Sequence, residues 1–141
     1  MYKNILVPYD FGNSFKNVPG QLEKLTKNSE EGATITVFNV LSERELESYV
    51  KYQGKHFEDL TADKEMDLVP FLEELDALGL KYETKFKTGR ATREIINEVN
   101  AGDYEIVLMS NQRSERDIKH VLGHVTHKVA KRVNIPVLIV K

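Results

Sequence analysis

Three observations predict a doubly wound α/β fold, with helices on both faces of a parallel sheet of about five strands. Short, nearly continuous apolar runs recur along the chain, segments with helical spacing separate them, and the two kinds alternate from end to end. A strand covered on both faces needs a continuous apolar run, and parallel strands need crossover connections.

The first run is Ile5-Leu6-Val7 within YKNILVPYD, and the second, ATITVFNVL, is rich in β-branched residues and follows a break at Gly32. In KYETKFKTG, Tyr82, Thr84 and Phe86 alternate with Lys81, Glu83, Lys85 and Lys87, which predicts a strand with one wet face or a place near the sheet edge. EIVLM and IPVLIVK are short and almost wholly apolar. Helical patterns lie in QLEKLTKNSEEG, DKEMDLVPFLEELDALG, ATREIINEVNAG and VLGHVTHKVAKRV. Pro19-Gly20 is expected to start or break the first helix, and Pro70 to begin or kink its own, because proline lacks a donor and clashes with the preceding turn. The connection from Ser42 to Asp63 has no clear turn pattern. It reads either as a ligand-covering segment or as an extra amphipathic helix using Leu46, Val50 and Phe57.

With 141 residues, 40% hydrophobic and 30% charged, the chain fits one folded domain spanning residues 1–141. Twenty basic against 22 acidic residues leave a net charge of -2, so neither nucleic acid nor an anionic membrane is an expected partner. The absence of cysteine excludes disulfides, thiolate zinc sites and cysteine nucleophiles. The first residues lead straight into a strand-like run without an apolar signal region, and no stretch approaches the ~20 apolar residues that span a bilayer. A cytoplasmic location is the expectation.

Ligands of open parallel sheets bind outside the carboxyl ends of the strands, where strand order reverses. Asp10 stands where the first strand runs out, and Met109-Ser110 where the fourth does. Asp10 reads either as an acceptor for a ribose or base amine, or as a turn cap with Gly12 and Asn13. The helix start near Gly123 offers backbone N–H groups to a phosphate.

At this point the chain resembles the universal stress protein family. ILVPYDFGNS resembles the family's first strand and aspartate, TGRATREIINEVN its glycine and third helix, and IVLMSNQRSERDIKHVLGHVTHKVAKRVNIPVLIV its long C-terminal signature. The resemblance implies a Rossmann-like, adenine nucleotide α-hydrolase-like domain acting in stress response, and a homodimer paired through the C-terminal strand. Some members bind ATP and others do not. The pocket residues it implies are Pro8, Tyr9 and Asp10, with Val40 acting through its backbone on the base, then Met109 and Ser110, and Gly123, His124, Val125 and Thr126 at the helix start. The ligand it implies is ATP or AMP with Mg²⁺.

ATP-binding members carry glycine, two residues, glycine, nine residues, then glycine followed by Ser or Thr. Aligned on Gly123, the earlier glycines fall on Ser110 and Arg113, and His124 stands where a hydroxyl is expected, although Thr126 matches a position that is commonly Ser or Thr. Glycine reaches positive φ and lets backbone approach phosphate, so this loop predicts weakened or lost ATP binding. Arg113 would either grip a phosphate or fill its place, and a protonated His124 would replace the missing hydroxyl as a phosphate contact only with an anion bound.

His120, His124 and His127 share helical spacing, but no carboxylate or cysteine stands at ligand spacing beside them, and a solvated basic face with Lys128 and Lys131 opposite Leu122, Val125, Val129 and Val133 is the expected arrangement. No GxSxG, GxxxxGK[ST] or GxGxxG motif is present, and Ser110 with His124 lacks an orienting acid. The expected function is ligand sensing or binding of a further protein partner without turnover. The alternative is an adenine-nucleotide switch or slow ATPase using the altered loop.

Overall fold

The computed structural model describes residues 2–11, 14–27, 32–54, 56–110 and 124–141. Its elements run β1 (Asn4–Pro8), α1 (Val18–Thr26), β2 (Thr34–Leu41), α2 (Glu43–Gln53), α3 (Phe57–Ala77), β3 (Lys81–Thr88), α4 (Ala91–Ala101), β4 (Ile106–Ser110), α5 (His124–Arg132) and β5 (Val137–Val140). The strands form one parallel sheet in the order β3-β2-β1-β4-β5. Chain order reverses between β1 and β4, which opens a crevice beyond their carboxyl ends.

Side-chain alternation divides the core into two layers. Ile5 and Val7 of β1, Ile35 and Val37 of β2, and Ile106 and Leu108 of β4 pack with Val18 and Leu22 of α1 and Leu68, Phe71 and Leu75 of α3. On the other face, Leu6, Phe38, Val107 and Met109 pack with Ile95 and Val99 of α4 and Val129 of α5. Neighbouring residues of a strand point to opposite faces, and this is why the apolar runs had to be continuous. The alternating strand is β3, at the sheet edge, with Lys81, Glu83, Lys85 and Lys87 exposed.

Pro19 sits in the first turn of α1, where its missing N–H is no loss. Pro70 lies within α3, whose 21 residues begin at Phe57, well before the apolar pattern around it. The Ser42 to Asp63 connection is helical, but not as one apolar stripe. Ser42 Oγ accepts from Glu45 N to start α2, Gly54 ends it at φ 63°, and α2 contributes no buried residue. Val50 is exposed and Phe57 belongs to α3, so Leu46, Val50 and Phe57 are not one apolar stripe of a single helix.

On the sheet face shared with α4, Glu98 is buried and accepts from Lys85 Nζ at 2.8 Å and Tyr104 OH at 2.6 Å. Burial pushes the Glu98 carboxyl up, but these two donors together with the charges of Lys85 and Lys87 outweigh it and hold the group below its ordinary 4.5. Burial and the adjoining carboxylate push the Tyr104 phenol up to about 12.

Candidate functional site

The crevice at the switch point holds a cavity of about 260 Å³. From β1 and the turn after it come Pro8, Tyr9 and Asp10, from β2 Val40, from β4 Met109 and Ser110, and from α5 Val125 and Thr126. All eight were singled out from the sequence, and four separate segments bring them to one place. His124 is exposed and does not line this cavity. Arg113 and Gly123 lie outside the described residues, as do Gly12, Asn13, His120 and Leu122.

A residue that sequence reasoning missed sits in the wall. Asn39, only 5% exposed, donates from Nδ2 to the Tyr9 carbonyl at 2.9 Å, while Tyr9 N donates to the Phe38 carbonyl at 2.7 Å. The carbonyl acceptor fixes which way the amide faces, so Oδ1 is the remaining acceptor. That oxygen is buried and, among the described residues, has no hydrogen-bond partner. An unpaired buried acceptor costs about 1–3 kcal/mol, and few are retained without a reason. The signal was present in TITVFNV, where a lone amide interrupts an apolar strand.

Ser110 is buried, and its Oγ donates to the Ser14 carbonyl. A hydroxyl has one proton, so in this state Ser110 does not also donate to a phosphate. With His124 exposed and off the cavity wall, Ser110 and His124 do not form a nucleophile and base pair here. Thr126 is buried and lines the cavity from α5.

The α2 and α3 segments close one side of the crevice. Glu45 of α2 and Lys64 of α3 line the cavity and pair at 2.8 Å, and Lys64 Nζ lies 4.9 Å from the centroid of the Phe11 ring. Tyr9 stacks on Phe15 at 4.3 Å and meets Phe11 edge-on at 4.8 Å. Burial, then the charges of Glu74 and Asp10, push the Tyr9 phenol up from its ordinary 10.0, so it stays neutral at physiological pH. The cavity therefore combines aromatic and aliphatic walls with a few oriented polar groups, the composition of a site for a small organic ligand. Among the described residues, no group of three or more His, Cys, Asp or Glu is placed to hold a metal ion.

The family model of the universal stress protein family matches residues 1–141. A universal stress protein of Methanocaldococcus jannaschii is 25% identical over 158 aligned positions, which cover 100% of this chain and 96% of the relative. The solved structure of that protein superposes with a TM-score of 0.81 at 26% identity, again over 100% and 96% of the two chains. A universal stress protein of Archaeoglobus fulgidus in complex with dAMP superposes with a TM-score of 0.64 at 17% identity, covering 99% of this chain and 98% of that one. A family protein of Arabidopsis thaliana with AMP bound gives 0.63 at 19% identity, covering 99% and 91%. With its whole length matched by the family model, the chain belongs to the universal stress protein family.

Proposed function

We propose that this universal stress protein is a cytosolic stress-response module that senses an adenine nucleoside or nucleotide in the crevice without turning it over. The observation that carries the reading is Asn39, in the wall of a cavity at the topological switch point, whose buried Oδ1 has no partner among the described residues. An exocyclic amine is the complementary donor. In this reading Asn39 and the Val40 backbone face the base, Asp10 the ribose, and Thr126 with the α5 start the phosphate side. The dAMP and AMP complexes of the two distant relatives support the same ligand class.

The engagement of the Ser110 proton by Ser14 argues against phosphoryl chemistry at that residue and supports a weakened loop contact to triphosphate. Pairing of two copies through β5 is supported by its position at the sheet edge, with Val137, Leu138 and Ile139 only partly buried. Calorimetric titration with adenosine, AMP and guanosine tests the reading, with sedimentation velocity alongside for the dimer. Adenosine and AMP are expected to bind and guanosine to bind at least about tenfold more weakly, since it presents an oxygen where adenine presents an amine. Equal affinity for the two bases, or binding of neither, overturns it. Release of adenine nucleotide from the purified protein, or phosphate release from ATP, would favour the switch or slow ATPase.

A further inference from the structure

Next to the crevice is a second cavity, of about 430 Å³, between the first turns of α4 and the exposed face of α5. The two cavities share Ala91 and Val125 as lining residues, so they adjoin at one small side chain and one branched one. Among the described residues, every charged side chain lining the second cavity is a cation: Arg90, Arg93, Lys128 and Arg132. All four are exposed. The chain as a whole carries a net charge of -2, so this concentration of positive charge is local.

Local stability does not account for the arrangement. Arg90 and Arg93 stand at the N-terminus of α4, where the helix dipole disfavours cations, and Arg90 occupies the cap position without giving the helix a side-chain cap. Lys128 and Arg132 are a like-charged pair one turn apart on α5, which is mildly destabilising. The one acid in the first turn of α4, Glu94, lies beside Gly89 and is not part of the cavity wall. A groove walled by one sign of charge focuses potential and attracts the opposite sign, and guanidinium groups suit phosphate oxygens in particular.

We propose that the α4–α5 groove binds the polyphosphate arm of a nucleotide whose nucleoside occupies the crevice, the arm crossing at Ala91. The ligand class is then a nucleoside polyphosphate, held by side-chain cations of two helices. The inference rests on the nucleoside reading of the crevice for its linkage, while the groove's affinity for phosphate is independent of it.

The test uses adenosine, ATP and inorganic tripolyphosphate as separate titrants against the wild-type protein, the Arg93→Gln/Lys128→Gln double variant, and a Lys16→Gln/Lys24→Gln control. The control removes two cations from the far side of the molecule, near β5. Wild-type protein is expected to bind tripolyphosphate in a salt-sensitive manner and to bind ATP about tenfold or more tightly than adenosine. The groove variant should lose about tenfold in tripolyphosphate and ATP affinity and keep its adenosine affinity, and the control should match wild type. Absence of tripolyphosphate binding, or an equal loss in both double variants, overturns the groove. Tripolyphosphate binding that the groove variant loses, without any adenosine binding, upholds the groove and overturns the crevice reading. An ATP-to-adenosine affinity ratio unchanged in the groove variant overturns the linkage between them.

Discussion

Ser110 Oγ donates to the main-chain carbonyl of Ser14, so the last residue of β4 holds the segment that leads into α1. The bond joins two edges of the crevice that lie 96 positions apart in sequence. Ser110→Ala is therefore expected to lower stability by about 1 kcal/mol, the net worth of one such bond, with the Ser14 carbonyl left to solvent. Urea denaturation measures it. A variant as stable as wild type would mean that the bond contributes nothing.

Asn39→Ala should separate stability from binding. The substitution loses the hydrogen bond to the Tyr9 carbonyl but also removes the unpaired Oδ1, and the two effects oppose one another, leaving a net change expected within about 1.5 kcal/mol. Adenosine affinity should fall by about tenfold or more. If stability collapses while affinity per folded molecule is preserved, Asn39 is a structural residue only.

Glu98 and Tyr104 predict stability limits at both ends of the pH scale. The folded Glu98 carboxyl is held below 4.5, so its contribution is present above that value and is lost as pH falls through the folded pKa. Tyr104 is raised from 10.0 to about 12, so its contribution is present below 10.0 and is lost as pH rises toward 12. Glu98→Gln should flatten the acid side of a melting temperature against pH profile, and a parallel profile would show that the buried carboxylate is not the titrating group.

Gly89 joins β3 to α4 at φ 143°, a conformation that side chains rarely adopt, and its N–H donates to the Leu41 carbonyl at 3.0 Å. An added Cβ would also meet Glu94 Cγ at 2.9 Å, although that flexible side chain can move. Gly89→Ala is expected to cost about 1–3 kcal/mol, mainly from the backbone. Chemical denaturation of Gly89→Ala beside Gly20→Ala, a site with open space and no positive φ, distinguishes the backbone effect from a general dislike of substitution.

The sheet was legible because each strand announces its surroundings: Ile5-Leu6-Val7 must satisfy two apolar layers at once, and Tyr82, Thr84 and Phe86 only one. Helix α2 was legible only as one of two alternatives, since a helix that fully buries no residue leaves a short apolar pattern with little to anchor it, and its firmest marks are Ser42 and Gly54 at the ends. In the crevice, Asp10, Val40 and Thr126 were legible through family resemblance. Glu45 and Lys64 were not, because on a sequence they are ordinary helix charges, and only the fold brings them 2.8 Å apart in the cavity wall. Asn39 was visible but unread, as one amide in a strand has no meaning until its neighbours show which of its atoms is left over.

The two margins of the sheet differ in a way that bears on assembly. Along β3, alternate positions carry Lys81, Glu83, Lys85 and Lys87, a charge pattern that discourages a further strand from docking. The opposite margin, β5, is the short apolar sequence Val137-Leu138-Ile139-Val140. A molecule with one hospitable margin and one guarded margin has a single valence for strand pairing. If two copies pair through β5 as proposed, neither has a comparable edge to offer a third, so growth would end at a closed pair and not continue into a filament.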